Sequence, residues 1–199
     1  MDIERRIIDA HVEVRADHAG NKTIEGYASV FDSRSQNLGG FVERVRPGAF
    51  AQSLADGDDV RALMNHDSNF VLGRRASGTL ELAEDSTGLH YRITPSNASY
   101  ARDLVIAMER GDVSQSSFGF ITNPDGDEWA YTEDQFPLRS LLSVRLVDVS
   151  PVTFPAYLDT ESKVAVRAIE RAQGMVAPVV EPEDPNAALR RAMFGRKYL

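Results

Sequence analysis

The chain has 199 residues, no cysteine, and 30 Asp and Glu against 22 Lys and Arg, a formal charge of −8. The missing cysteine excludes disulfides, thiolate metal sites and a cysteine nucleophile, while the acid excess argues against a broad nucleic-acid groove, which needs local positive charge. No apolar run of about 18 residues occurs, so no membrane-crossing helix is expected. The start, Met1-Asp2-Ile3-Glu4-Arg5-Arg6, lacks the apolar stretch of a secretory signal. The expected location is therefore the cytoplasm of the producing cell.

In chain order, β-like runs come first. Arg6–Arg15, Thr23–Phe31 and Phe41–Val45 lead, and Pro47–Ala55 then reads as a short helix, with proline at its start and Phe50 and Leu54 four apart. Val60–Met64 is a further apolar strand. Thr79–Ala83 and Leu89–Thr94, separated by the polar run Glu84-Asp85-Ser86-Thr87-Gly88, predict a hairpin. Ser99–Arg110 places Leu104, Val105 and Met108 on one helical face and stops at Gly111. Ser114–Thr122 and Leu141–Val149 are strands. Residues 123–138, with Asn123-Pro124-Asp125-Gly126-Asp127, read as an exposed loop or hairpin tip. Many short strands with few helices predict a mainly β fold with surrounding helices (α+β), built as a small closed or partly closed β-barrel.

The texture changes after Arg167. Ala177–Asn186 holds three prolines and three acids, the composition of an extended linker. Asn186–Phe194 reads as a short helix capped by Asn186, and Arg190, Arg191, Arg196 and Lys197 make the end basic. The expected organisation is a domain over 1–168 and a flexible linker with a basic tail over 169–199.

Four histidines limit the acid–base chemistry. His11 and His90 sit in strands and His18 in a polar turn, positions where a surface or sheet-face role suffices. His66 ends the strand Val60–Met64 between Asn65 and Asp67, where a scaffold delivers a side chain to a cleft. Along Ser114–Phe120 alternation puts Ser114, Ser116, Phe118 and Phe120 on one face and Ser117, Gly119 and Ile121 on the other. With the two phenylalanines in the core, Ser117 points away from it, beside a glycine that leaves room for a substrate backbone. Asp148 continues the apolar row Leu142, Val144, Leu146, where a carboxylate needs a partner. That partner is either a histidine or the backbone of a turn at Ser150-Pro151. A serine hydroxyl needs a base, imidazole titrates in the right range, and a third group must orient the ring. His66, a serine and Asp148 are the residue types for those three roles.

Several segments resemble the tailed-phage prohead (capsid maturation) serine proteases. They are Gly26-Tyr27-Ala28, Arg46-Pro47-Gly48-Ala49-Phe50, Met64-Asn65-His66-Asp67, Leu72-Gly73-Arg74, Ser117-Phe118-Gly119-Phe120 and Asp148-Val149-Ser150-Pro151-Val152-Thr153-Phe154-Pro155-Ala156. The similarity runs over about residues 22–158, with the segments in the family's order. It implies an assemblin-like fold, a serine endopeptidase with His66 as base and Ser117 as nucleophile, and no cofactor or metal. It also implies protein substrates: the scaffold, the scaffold-like leading segment of the major capsid protein, and the chain's own tail. The implied place of action is the assembling prohead in the host cytoplasm, with homo-oligomerisation open and neither nucleic acid nor membrane required.

This chain departs from the family at two points. Many relatives carry glutamate where Asp148 stands, and the residue before the serine is often apolar, whereas here it is Ser116, which is thus the alternative nucleophile. Arg74, Arg75 and Gly119 are candidates for the substrate or oxyanion region, with a surface ion pair as the other role for either arginine. The competing reading is a non-catalytic capsid-assembly or scaffolding module of the same fold. A metal-dependent hydrolase fits poorly, because no HExxH or clustered His and carboxylate spacing occurs.

Overall fold

The computed structural model describes residues 3–8 and 12–153. Its elements in order are β1 (Glu4–Ile8), β2 (Val12–Ala16), β3 (Lys22–Val30), β4 (Val42–Val45), α1 (Ala51–Ala55), β5 (Arg61–Met64), β6 (Asp67–Arg74), a 3-10 turn (Arg75–Ser77), β7 (Leu80–Glu84), β8 (Gly88–Ile93), α2 (Ser99–Glu109), β9 (Gln115–Thr122), β10 (Asp127–Tyr131), β11 (Pro137–Leu141) and β12 (Val144–Val152). The fold is mainly β with few helices, as expected. No helix among the described residues is long and apolar enough to cross a membrane. The tail after Arg167 and His11 lie outside the described residues.

Three sheets share the strands: β1-β9-β12-β5-β6, β2-β3-β8-β7 and β10-β11-β4. The strand pairing does not confirm the expected closed or partly closed barrel. Among the described residues each sheet is an open order with two edges, and hydrogen bonds do not close any of them into a ring. One apolar core joins the layers instead. Phe118, Phe120 and Val149 reach it from the first sheet, Ile24, Tyr91 and Ile93 from the second, and Leu141 and Val45 from the third. Phe50 packs edge-on against Phe118 at 5.4 Å between centroids.

Most boundaries follow the sequence pattern. The β7–β8 hairpin forms with Leu80 opposite Ile93 and Glu84 opposite Leu89. In α2, Leu104, Val105 and Met108 are buried. Gly111 takes a φ of 81° just after the helix, and its N–H donates to Met108 O, the left-handed stop that glycine permits. Helix α1 starts at Ala51 rather than Pro47, because Gly48 has a φ of 89° and turns the chain before a helix can begin. Residues 123–138 are more ordered than a loop: β10 and β11 form a hairpin with Trp129 opposite Arg139. Strand β6 has no alternating pattern to announce it, since four of its residues, Ser68 to Val71, are exposed in succession on a sheet edge.

Candidate active site

Strand β9 delivers the serines. Phe118 and Phe120 are fully buried in the core, so alternation sends Ser117 to the opposite face. Ser116 lies on the core face, where its hydroxyl donates to Tyr91 Oη at 3.1 Å. That contact keeps it away from the other candidate residues.

Asp148 reaches the Ser117 face through a β-bulge. In the β9–β12 ladder Leu146 pairs with Phe120, but Asp148 pairs with Gly119. Two residues of β12 thus oppose one step of β9 at Val147. Uninterrupted alternation would have left Asp148 on the core row with Leu146, as the sequence reading placed it. The bulge turns the strand over, so that Asp148 and Ser150 share a face with Gly119 and Ser117, while Val149 enters the core. A turn at Ser150-Pro151 is also excluded, because β12 continues to Val152.

His66 comes from the turn between β5 and β6. Met64 pairs with Asp67, leaving Asn65 and His66 as a two-residue hairpin turn. Their φ values are 54° and 58°, as the I′ turn of a tight hairpin demands. Asparagine suits that geometry, whereas histidine at the second position is disfavoured by its Cβ. Strand β12 braces the strained turn. Asn65 N–H donates to Pro151 O at 3.1 Å, Thr153 N–H donates to Asn65 Oδ1 at 2.8 Å, and His66 N–H donates to Ser150 Oγ at 3.3 Å.

These three constructions converge. His66 Nε2 lies 2.6 Å from Ser117 Oγ, and His66 Nδ1 lies 2.5 Å from Asp148 Oδ1. The His66 and Asp148 side chains are only 10% and 6% exposed, and Ser117 is buried. A neutral ring that donates from Nδ1 to the carboxylate presents the Nε2 lone pair to the hydroxyl. That arrangement can remove the Ser117 proton, hold it as imidazolium against Asp148, and return it to a leaving group. The hydroxyl has a second acceptor as well, Arg6 O of β1 at 2.9 Å. Nε2 and Arg6 O therefore compete for one proton.

The remaining candidates have other partners. A Cβ built on Gly119 would collide with Asp148 Oδ2, so the glycine makes room for the carboxylate rather than for a substrate backbone. Arg74 forms a two-pronged pair with Asp59 through Nε at 2.9 Å and Nη2 at 2.5 Å. Arg75 donates to Leu54 O at 2.7 Å and to the carbonyls of Ser53 and Asp58, covering the open C-terminal end of α1. His90 packs edge-on against Tyr27 at 5.3 Å. Sequence reasoning missed Ser150, Asn65 and Thr153 as site residues. The available signal was the spacing of two between Asp148 and Ser150, which puts them on one strand face.

A second polar cluster adjoins the first through β1. Arg6 donates to Glu43 Oε1 at 2.7 Å and to Glu4 Oε2 at 2.8 Å. Arg139 donates to Glu4 Oε2 at 2.6 Å, Glu43 Oε2 at 3.1 Å and Asp127 Oδ2 at 2.6 Å. Burial alone would raise the pKa of Glu4, but the hydrogen bonds from Arg139 and Thr122 and the charges of Arg139 and Arg6 together outweigh it and hold the carboxyl below its usual range. Burial would likewise weaken the Arg139 cation, yet Glu43 and Glu4 raise its pKa further.

A family model described as Caudovirus prohead serine protease matches residues 10–174 of the chain. Among solved structures, that of the bacteriophage T4 capsid assembly protease, gp21, is similar at 9% identity and a TM-score of 0.46, covering 75% of this chain and 98% of that one. A comparison with curated proteins finds no match.

Proposed function

Because the chain belongs to the Caudovirus prohead serine protease family, we propose that Ser117, His66 and Asp148 are its nucleophile, general base and orienting carboxylate. In this reading Ser117 Oγ attacks a peptide carbonyl carbon while His66 Nε2 takes the hydroxyl proton. Asp148 keeps Nδ1–H and favours the imidazolium that forms. The proton then passes to the departing amine, and water, deprotonated by the same ring, hydrolyses the acyl-enzyme. The observation that carries this reading is the continuous hydrogen-bonded line Ser117 Oγ–His66 Nε2 and His66 Nδ1–Asp148 Oδ1, at 2.6 and 2.5 Å. Before attack the hydroxyl proton has to turn from Arg6 O to Nε2.

The family membership supports capsid proteins as substrates: the scaffold, or the scaffold-like leading segment of the major capsid protein, cut inside the assembling prohead in the host cell. A removable docking tail fits the same task, so the enzyme also cuts itself between about Ala168 and Asn186, residues outside the described part of the chain. The relation to the assemblin fold belongs to this proposal and rests on the family resemblance, since the strand pairing leaves the sheets open.

The test is co-expression with the scaffold and major capsid protein, read by intact-mass spectrometry. The wild-type chain and Ser116→Ala should cut the substrate and lose a C-terminal fragment, while Ser117→Ala leaves all chains whole. Cleavage by Ser117→Ala would overturn the assignment of the nucleophile. Substrate cleavage without loss of the tail would overturn self-processing alone.

A further inference from the structure

We propose that Ser150 is a positioning residue of the site, tying the Asp148 carboxylate to the backbone of His66; the inference rests on the proteolytic reading above. Ser150 follows the β12 bulge by two residues beyond Asp148 and pairs directly with Ser117 across the ladder. It is completely buried, so its hydroxyl needs partners within the protein. Its O–H donates to Asp148 Oδ1 at 2.9 Å. Its Oγ accepts from His66 N–H at 3.3 Å and lies 3.3 Å from His66 Nδ1.

One hydroxyl thus joins the two groups whose mutual placement decides the ring's orientation. The backbone bond matters because His66 sits at a φ of 58°, which a residue with a Cβ holds only when its surroundings enforce it. The carboxylate bond matters because Oδ1 is also the atom that receives Nδ1–H. Asp148 can turn about its terminal bond, and two constraints stop it. Oδ2 fills the space left by Gly119, and Ser150 holds Oδ1. A base held within about 0.5 Å of its working geometry needs such supports. Ser150 touches no reacting atom in this scheme and works through Asp148 and His66.

The experiment uses the full chain with an alkyl fluorophosphonate, which reports activation of the serine without a known substrate. The labelling rate at Ser117 is measured by peptide mass spectrometry in wild type, Ser150→Ala, Asp148→Asn and the double variant. Ser150→Ala should label on the order of tenfold more slowly than wild type, and the added effect of Ser150→Ala on Asp148→Asn should stay below about twofold, since coupled residues are not additive. In the same samples, the low-field Nδ1–H resonance of ¹⁵N-labelled His66 should weaken or shift in Ser150→Ala while the amide spectrum of the core stays in place. If Ser150→Ala unfolds, Ser150→Cys, similar in size and a weaker donor, has to show the same coupling. Wild-type rates in Ser150→Ala, or equal losses in both backgrounds, would overturn the positioning role while leaving the triad standing. Failure of the wild-type chain to label at Ser117 would sink the proteolytic reading and this inference with it.

Discussion

Two buried polar clusters among the described residues meet at β1. In one, Arg6 and Arg139 face Glu4, Glu43 and Asp127, drawn from β1, β4, β10 and β11. Both guanidinium groups have several acceptors, and each of Glu4 and Glu43 receives both arginines. Such saturation offsets the cost of burying charge and leaves nothing free to move. The other cluster, His66, Asp148, Ser117 and Ser150, is sparer. Its bonds run in a line, and the Ser117 proton has two acceptors, Nε2 and Arg6 O. The difference teaches how one fold uses buried polarity in two ways. A network with every donor matched fixes strands, whereas a line with a shared proton can transfer it.

Substitutions that damage one function and spare the other would break this comparison or sharpen it. The largest effect is expected from His66→Ala, which removes the proposed base: peptide cleavage should fall by on the order of 10⁶-fold with little change in unfolding midpoint. Calorimetry beside a cleavage assay checks both halves. Asp148→Asn keeps a group able to hold the ring but loses the charge that favours imidazolium, so cleavage should slow by roughly 10⁴-fold, less than in His66→Ala. Activity equal to wild type would remove Asp148 from the triad.

Arg139→Met tests the saturated cluster. It leaves Glu4 and Glu43 short of a partner in a buried setting, and denaturant unfolding should show a loss of about 3–5 kcal/mol, while the folded fraction still labels with fluorophosphonate. A milder perturbation is acid. The folded-state pKa of Glu4 lies below its ordinary value of 4.5, so the folded protein binds its proton less readily than the unfolded chain does. The contribution of Glu4 is complete above that value and is lost as pH falls below it through the folded pKa. Glu4→Gln should flatten this part of the stability–pH curve, as thermal melts across the acid range would reveal. Smallest of all is Arg74→Ala. Arg74 pairs with Asp59 on the exposed surface, so cleavage should change by less than about twofold, and a large loss would restore it as a substrate-region residue.

Much of the site could be read before any coordinates. Residue alternation around Phe118 and Phe120 was enough to separate Ser117 from Ser116, because two large aromatics on one strand face have to enter the core. The β7–β8 hairpin is also local, set by chain chemistry over a few residues. The role of Asp148 was legible only as a residue type. A one-residue bulge reverses every side chain beyond it, and Leu146-Val147 contains no glycine or proline to announce it. The same limit hid β6, whose edge position allows exposed residues in succession.

By itself the sequence determined the residue types of the proposed chemistry: a histidine at a strand end, a serine facing away from aromatic neighbours, a carboxylate needing a partner, and no cysteine to compete. Family resemblance followed from the order of those segments. The tertiary structure alone decided which atoms meet. The bulge at Val147, the space at Gly119 that receives Asp148 Oδ2, the bracing of a left-handed His66 by Ser150 and Pro151, and the approach of Arg6 O to Ser117 all join residues far apart in the chain. Such contacts arise from strand register and close packing, and no local preference of the chain encodes them.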